Sequence, residues 1–485
     1  MSANALLPII VGFYAIHSVS RAAVDTSYKE YKFRTKLDHF AFHNNMTFDM
    51  RYMMADQYWN HDGGPIFLYT GNEEAVEKFV RNTGIMWEWA PEFNALLVFA
   101  EHRFYGQSLP FGNRSYESPH HLGYLTAEQA LADYADLILH LKYTLPGAEK
   151  SAVVAFGGSY GGMLAAWFRL KFPHIVTASL AASAPINMSP GLVPCGKFDE
   201  AVTAAYERES EVCSAAIRRS WTELQKLGYT VAGCEHLRQK FRLCQGLHPS
   251  NYTLLRDWIK EVYSTLALVN FPAPSDLVGA VPGSPVRVVC DGFVKAPVNN
   301  GSALIHAVVR AVNVLFNSTG QRKCNDLLIF QHHLVGYSFQ LMNASPQEAQ
   351  QGTSHDLEKT SGWNMHAWNA AACDVSKGRN GELDPWSSLG VLEPPSDDVV
   401  VLTIPGAAHH ADLRFSRPSD SPELVRARRI EKTYIRRWIA ESDESIEGNR
   451  KRPLVSRIAE NKQHKRKQKR KTLIKHLLFR FTDEN

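Results

Sequence analysis

The sequence alternates short apolar runs with longer amphipathic stretches between Gly63 and Pro185. The runs are rich in β-branched and aromatic residues and contain few polar interruptions. They span 65–70, 95–103, 151–156 and 177–185. Strands that are apolar on both faces are typical of a parallel sheet covered by helices on both sides. This part of the chain is therefore predicted to form an α/β fold.

Beyond Pro185 the pattern changes to amphipathic helical segments, such as 199–226 and 251–269, separated by loops rich in Pro and Gly. One further apolar run, 399–405, then predicts a late strand, and a long helix is predicted from Pro422 to about Glu441. The sheet therefore resumes after a helical insertion. The charged residues beyond Ser442 are predicted to be disordered.

The 485 residues, 45% of them hydrophobic, suffice for a large core, and their number predicts either two or more domains or one domain that carries a big insertion. No run of eighteen apolar residues occurs, which argues against a transmembrane segment. The predicted units are a signal peptide at 1–20, the first core part at 28–190, the insertion at 191–372, the second core part at 376–442 and a basic tail at 443–485.

Two features indicate the secretory pathway. The apolar stretch 6–16, followed by Ser18 and Ser20, fits a secretory signal peptide, although a buried first helix is the alternative. Seven N-x-[ST] sequons favour a glycosylated, lumenal protein. They lie at Asn45, Asn113, Asn187, Asn251, Asn300, Asn317 and Asn343.

The seven cysteines all lie in the middle of the chain, and none forms a C-x-x-C pair. Disulfides within the insertion therefore explain them better than a zinc or redox site does. The odd number leaves at least one cysteine unpaired. We expect neither a metal nor a cofactor.

The net charge of +4 combines an acidic body with a basic tail. Residues 450–485 hold 13 Lys or Arg against 3 Asp or Glu, whereas residues 1–449 hold 40 against 46. The stretch 462–475 could contact anionic surfaces, but a solvated extension is the simpler interpretation. It contains no aromatic residues, so specific nucleic-acid binding has no support.

The motif Gly157-Gly158-Ser159-Tyr160-Gly161 fits G-x-S-x-G and joins a predicted strand directly to a predicted helix. This context is that of a nucleophile elbow, in which glycines permit a sharp turn that exposes the serine hydroxyl. The backbone N–H of Tyr160 would then face a developing oxyanion. The alternative is a glycine-rich packing turn with an idle serine.

A serine nucleophile needs a base and an orienting acid, in the chain order Ser, Asp, His for this type of elbow. His409 and His410 follow the last predicted strand, and Asp384 lies in a turn upstream. The required order is met, but position alone does not decide between the two histidines. Competing acids, more typical of solvated or capping positions, are Asp397, Asp398 and Asp412.

Several strings resemble the lysosomal Pro-Xaa carboxypeptidase and dipeptidyl peptidase II family of serine peptidases over about residues 28 to 440. They are LDHF (37–40), YTGNE (69–73), LLVFAEHRFYG (96–106), SLPFG (108–112), LTAEQALADYADL (125–137), GGSYGGMLAAWFR (157–169), LAASAP (180–185), NGELDPW (380–386) and GAAHHADLR (406–414). The resemblance implies an α/β-hydrolase fold with an inserted, disulfide-linked helical cap domain. It also implies lysosomal or secreted localisation and cleavage of peptides next to proline. A homodimer is one possible assembly.

The resemblance assigns roles to individual residues. Ser159 falls on the nucleophile, Asp384 on the acid and His409 on the base. The substrate pocket would include Met163, Trp386, Asn72 and Glu73. The implied disulfides are Cys213 with Cys290 and Cys244 with Cys324, which leaves Cys195, Cys234 and Cys373 without assigned partners.

The sequence departs from the family pattern at two places. Only residues 374–383, mostly polar, lie between Cys373 and the acid motif, where the family has a strand and several dozen further residues. We therefore expect that the strand presenting Asp384 is missing. In addition, Glu74-Ala75 stands where the family usually has Gly and then Asp.

Three functions remain open at this stage. A Pro-Xaa carboxypeptidase is slightly preferred, and a dipeptidyl peptidase II-like aminopeptidase is the alternative. An inactive, secreted binding protein with an incomplete triad is the third, and a lipase or esterase is a lesser rival. Whether Asp384 can reach His409 discriminates between an enzyme and a binding protein.

Overall fold

The computed structural model describes residues 24–188, 192–194, 196–296, 299–327, 377–396 and 398–451. The predicted signal peptide, Cys195, Cys373, Asp397, the sequon at Asn343 and the tail after Lys451 lie outside the described residues.

Eight strands form one sheet in the order β1-β2-β4-β3-β5-β6-β7-β8. β1 and β2 form an antiparallel pair at one edge, β2 pairs antiparallel with β4, and the remaining neighbours are parallel. This topology is the α/β-hydrolase fold. The strands are β1 Lys29–Lys36, β2 Thr47–Ala55, β3 Ile66–Tyr69, β4 Leu96–Ala100, β5 Val153–Gly158, β6 Ala178–Ala182, β7 Lys377–Gly381 and β8 Leu402–Ile404.

The helices of the first core part follow the predicted alternation. They are α1 Val76–Asn82, α2 Gly84–Phe93, α3 Pro119–Leu122, α4 Ala127–Thr144 and α5 Tyr160–Lys171. Thr126 caps α4, since its hydroxyl accepts a hydrogen bond from Gln129 N–H (3.3 Å), and α5 ends shortly before Pro173. The central strands β3 to β6 are buried along their whole length, as their apolar composition predicts.

A helical insertion separates β6 from β7. Its helices within the described residues are α6 Lys197–Glu209, α7 Glu211–Gly228, α8 Val231–Lys240, α9 Tyr252–Leu268, α10 Pro285–Val294 and α11 Gly301–Phe316. The predicted segment 199–226 is interrupted at Ser210, whose hydroxyl accepts a hydrogen bond from Cys213 N–H (3.2 Å) and so starts a new helix. Disulfides join Cys213 to Cys290 and Cys244 to Cys324, the pairs that the family resemblance implies.

The expectation that the strand before Asp384 is missing is wrong. β7 is present and pairs in parallel with both β6 and β8. Its sequence, KGRNG, carries no apolar run, so side-chain periodicity gives no sign of a strand here. The strand forms through backbone hydrogen bonds to its two neighbours. Asp384 therefore follows the carboxyl end of a central strand.

The predicted ends of two late elements also differ from the structure. β8 covers only three residues of the predicted run 399–405. The last helix, α12 Pro422–Lys451, continues past Glu441, so the disorder predicted after Ser442 is wrong for residues 443–451. That stretch is poor in apolar residues, but it contains no proline and so permits the helix to continue.

Candidate active site

Ser159 lies at the sharp turn between β5 and α5. Its backbone has φ 58° and ψ −127°, a conformation that L residues rarely adopt outside strained functional turns. The neighbouring backbone approaches closely, since a Cβ on Gly157 would lie 2.7 Å from Thr70 Oγ1 and one on Gly161 would lie 2.7 Å from Thr70 O. The glycines of the motif are therefore required by the geometry of the elbow, and Ser159 itself is half-buried.

Tyr160 is the first residue of α5, so its backbone N–H lies at the positive end of the helix. Its side chain is held by the buried His102, whose Nε2 lies 3.1 Å from Tyr160 Oη. Burial lowers the pKa of His102 to about 4, so the imidazole is neutral at working pH. Because His102 Nδ1 donates to Arg103 O (2.7 Å), Nε2 accepts from the tyrosine hydroxyl.

The loop after β3 brings Asn72 and Glu73 to the elbow. Asn72 is buried, and its Nδ2 donates to Gly158 O (2.8 Å) while its Oδ1 accepts from Tyr69 Oη (2.9 Å). It therefore ties the loop to the strand that carries Ser159. Glu73 is half-buried, and burial raises the pKa of its carboxyl to about 7 although the charge of His409 opposes this shift.

His409 and Asp384 form a buried hydrogen-bonded pair. His409 Nδ1 donates to Asp384 Oδ2 (2.9 Å), and Asp384 Oδ1 accepts from Trp386 N–H (3.0 Å). The side chains of His409 and Asp384 are 7% and 0% exposed, so solvent hardly competes for the bond. The backbone N–H of His409 donates to Leu268 O (3.1 Å), at the end of α9 in the insertion.

His410 occupies a different environment from its neighbour. Its backbone is left-handed with φ 36°, its N–H donates to Ser183 Oγ (2.7 Å), and its ring packs against Gly158, where a Cβ would lie 3.0 Å away. Burial lowers the pKa of His410 well below its usual range. Of the two candidates that position left open, the histidine hydrogen-bonded to Asp384 is therefore His409.

Ser159 Oγ makes no hydrogen bond to His409 among the described residues. Contacts of this kind are often long in unliganded enzymes and tighten when substrate binds. The two residues belong to segments in direct contact, because the His410 ring lies against Gly158, the residue before Ser159. The elbow and the loop 406–414 that carries both histidines, here called the histidine loop, are therefore in contact.

The two predicted pocket walls are placed differently. Met163, on α5, is 2% exposed and belongs to the hydrophobic core beneath the elbow. Trp386, in the 3₁₀ helix Pro385–Leu389 just after Asp384, is half-buried, and its ring lies 4.5 Å from that of Phe198 on α6. Trp386 therefore joins the acid motif to the helical insertion.

Sequence reasoning missed Arg428 on α12, which holds the histidine loop from behind. This buried guanidinium donates to three backbone carbonyls of the loop, those of Ala411 (2.9 Å), Asp412 (3.0 Å) and Arg414 (3.0 Å). It also forms an ion pair with Asp420 (2.6 Å). A single arginine in a charged helix gives no sequence signal for this role, because its partners are backbone atoms.

The serine carboxypeptidase S28 family model matches residues 35–367 and 378–431. The chain belongs to this family. The unmatched residues 368–377 between the two parts of the match end at Lys377, the first residue of β7.

Curated relatives of this S28 chain include the human "Lysosomal Pro-X carboxypeptidase", which is 39% identical over 466 residues, covering 90% of this chain and 94% of the relative. The Caenorhabditis elegans "Prolyl carboxy peptidase like protein 5" is 33% identical over 461 residues, covering 85% and 90%. Among solved structures, the proline iminopeptidase of Mycobacterium smegmatis aligns with 86% of this chain and 100% of its own length at 13% identity, with a TM-score of 0.41.

The sequons of the S28 chain differ in accessibility. Asn45, Asn113 and Asn300 are exposed, whereas Asn187, Asn251 and Asn317 are half-buried. Asn187 Nδ2 donates to Gly390 O (2.9 Å), a hydrogen bond that a glycan on the same nitrogen would disturb. Among the described residues, no helix combines the length and apolarity needed to cross a bilayer, and no cluster of His, Cys, Asp or Glu is suited to a metal ion.

Proposed function

We propose that the chain is a serine exopeptidase that removes the residue following proline from the carboxyl end of peptides. The observation that carries this proposal is the buried hydrogen bond between His409 and Asp384, on a loop packed against the nucleophile elbow of Ser159. The printed names of the mammalian relatives supply the Pro-X specificity. The same bond argues against the inactive binding protein, since an acid that orients the histidine is available.

In the proposed mechanism, Ser159 Oγ attacks the carbonyl carbon of the proline residue while His409 Nε2 accepts its proton. Asp384 holds the imidazole with Nδ1 protonated and stabilises the imidazolium that forms. The backbone N–H of Tyr160 donates to the oxyanion. His409 then protonates the departing amine, the C–N bond breaks, and water activated by His409 hydrolyses the acyl-enzyme to free carboxylate and Ser159.

A dipeptidyl peptidase II-like aminopeptidase is the second candidate, and Glu73 is the observation that favours it. A carboxylate within the electrostatic range of His409 would hold the amino terminus of a substrate once it is ionised. Because the pKa of Glu73 is raised to about 7, this binding would strengthen as the pH rises through neutrality. Below this pKa the carboxyl is mostly protonated, so this support for the aminopeptidase weakens at acidic pH.

The test assays the purified, secreted protein against a Pro-Xaa substrate with a free carboxyl terminus and against an N-terminal Xaa-Pro reporter, each at acidic and neutral pH. Ser159→Ala is the control for contaminating peptidases. Turnover of the first substrate alone supports the proposal, and turnover of the second alone supports the aminopeptidase. A folded protein that cleaves neither substrate refutes both.

We further propose that the site works in the secretory pathway or lysosome on proline-containing peptides. The sequons and the two disulfides of the insertion support an oxidising, lumenal compartment. The same proposal assigns the substrate pocket to Met163, Trp386, Asn72 and Glu73. It also includes the division of the chain into core and cap, a homodimer, and contacts of the basic tail with anionic surfaces. Endoglycosidase sensitivity of the secreted chain tests the compartment.

A further inference from the structure

A cavity of about 430 Å³, which Ser159, His409 and Asp384 do not line, lies between the end of α1, the loop 274–281 of the insertion and residues 414–417. We call it the arginine cavity. Its polar lining consists of Arg81, Asn82, Ser275, Asp276, Arg414 and Arg417. These residues come from three separate parts of the chain, and the proposed peptidase mechanism uses none of them.

The charges that line the arginine cavity do not balance. Three guanidinium groups face one carboxylate, that of Asp276, which leaves an excess of two positive charges. Asp276 already has two partners at the end of α1. Its Oδ2 lies 3.9 Å from Arg81 Nε, and its Oδ1 accepts from Asn82 Nδ2 (3.3 Å). Within the described part of the chain, neither Arg414 nor Arg417 forms an ion pair.

Arg414 is the most constrained of the three arginines. Its guanidinium carbon lies 4.2 Å from the centroid of the Phe271 ring, and its Nη1 is buried without a hydrogen-bond partner among the described residues. Burial and the charge of Arg417 lower the pKa of Arg414 to about 10, so the group still carries its charge at neutral pH. Arg414 as a whole is half-buried and contributes to the lining of the cavity.

Two further polar groups suit an oxygen ligand. The Ser275 hydroxyl accepts a hydrogen bond from Leu277 N–H (3.2 Å), which leaves its own proton for another acceptor. The exposed Arg81 and Arg417 leave the cavity open to solvent. Guanidinium groups bind tetrahedral oxyanions through pairs of parallel N–H donors, which a halide cannot match.

We propose that the arginine cavity binds a doubly charged tetrahedral oxyanion, a sulfate or phosphate group, through Arg414, Arg417 and Arg81. Two negative charges match the excess of two positive charges, and the ligand oxygens would accept from the guanidinium groups that line the cavity. The ligand is either the free inorganic ion or a phosphate monoester on a larger molecule, since a sulfate ester carries only one negative charge. This inference does not depend on the peptidase activity.

The test measures binding of sodium sulfate, sodium phosphate and glycerol 2-phosphate to the full chain by calorimetry, at constant ionic strength set with sodium chloride. We expect saturable binding at one site per chain. Arg417→Gln and Arg81→Gln, both at exposed positions, should each weaken binding by at least about tenfold, because each removes charge-assisted hydrogen bonds. Arg414→Gln should abolish it.

The matched control is Arg426→Gln, which removes the same charge from an exposed position on α12. Binding should be unchanged in this variant. Tighter binding of glycerol 2-phosphate than of inorganic phosphate identifies an ester as the ligand, and the reverse identifies the free ion. Absence of saturable binding, or an equal loss in Arg426→Gln, would overturn the proposal.

Discussion

Asp384 uses its two carboxylate oxygens for different tasks. One accepts from Trp386 N–H and so fixes the carboxylate on its own turn, and the other accepts from His409 Nδ1. An amide at this position would keep the size of the side chain but would offer the imidazole a hydrogen-bond donor or a weaker acceptor. The wrong tautomer of His409 would then be favoured.

We therefore predict that Asp384→Asn lowers kcat by about 10⁴-fold while the protein remains folded. Steady-state kinetics on the Pro-Xaa substrate measure the loss, and circular dichroism checks the fold. The matched control is Asp398→Asn, an exposed competing acid, which should retain full activity. A loss of less than tenfold in Asp384→Asn would show that another group orients the base.

Glu73 makes the stability of the protein depend on pH in an unusual direction. Its carboxyl has a pKa of about 7 in the folded state, above the value of 4.5 for an exposed glutamate. Between these values the folded state holds a proton that the unfolded state has lost, so stability falls as the pH rises. The slope is at most about 1.4 kcal/mol per pH unit.

We predict that Glu73→Gln gains stability relative to the parent protein between pH 5 and pH 8, since the amide cannot ionise. Denaturant unfolding at both pH values measures this difference. Glu149→Gln, at an exposed position far along the chain, serves as the control and should show no such trend. If the free energy of unfolding changes with pH in the same way for the parent and for Glu73→Gln, then the pKa of Glu73 is the same in the folded and unfolded states.

Among the elements, the histidine loop depends on α12 more than on its own sequence. The three carbonyls that Arg428 binds would be left unsatisfied without it, and Asp420 would lose its ion-pair partner. Removing one member of such a buried network leaves the others desolvated and unpaired. The position of His409 should suffer together with the stability of the fold.

We expect Arg428→Gln to lower the free energy of unfolding by about 3 kcal/mol and to reduce kcat more than it raises KM. Arg426→Gln on the same helix, which is exposed, should change neither quantity. Chemical unfolding and steady-state kinetics give the two readouts. Normal kinetics in a destabilised Arg428→Gln would limit the role of Arg428 to stability.

The strands and helices that the sequence predicts best are those with a strong local signal. The apolar runs of β3 to β6 and the elbow at Ser159 are examples, and so is the capping threonine of α4. β7 was missed because its five residues KGRNG are polar, and only its pairing with β6 and β8 makes it a strand. The antiparallel β1–β2 pair was likewise not predicted, because β1, KEYKFRTK, is mostly charged and exposed and carries no apolar run.

The same distinction applies to the site. The order of Ser159, Asp384 and His409 along the chain was readable from motifs. The motifs do not reveal the supporting contacts of His102, Asn72 and Arg428, because each of these residues acts through a tertiary contact to a backbone atom or to one hydroxyl. The choice between His409 and His410 likewise needed the hydrogen bond to Asp384.

At the scale of the whole molecule, the insertion and the hydrolase core share one hydrophobic cluster. Ala407, Ala408 and Ala411 of the histidine loop pack in the same cluster as Leu255, Trp258 and Val308 of the insertion. The packing of the insertion therefore helps to hold the histidine loop in place. Its disulfides close segments of 77 and 80 residues, which restricts the unfolded chain.

We predict that replacing Cys213 and Cys290 together by alanine lowers the free energy of unfolding by about 2–4 kcal/mol, with activity lost at a lower temperature than in the parent. Thermal inactivation and thermal unfolding measure the effect. Cys234→Ala, at the free cysteine of the described residues, is the control and should cost less. Equal thermal stability of the double variant and the parent would contradict the prediction.

The hydrogen bond from His409 N–H to Leu268 O couples the helical insertion to the histidine that pairs with Asp384. Leu268 is the last residue of α9, so a shift of this helix end would pull on the backbone of His409. A ligand or a substitution that moves α9 would therefore change the geometry of the His409–Asp384 pair without touching either side chain.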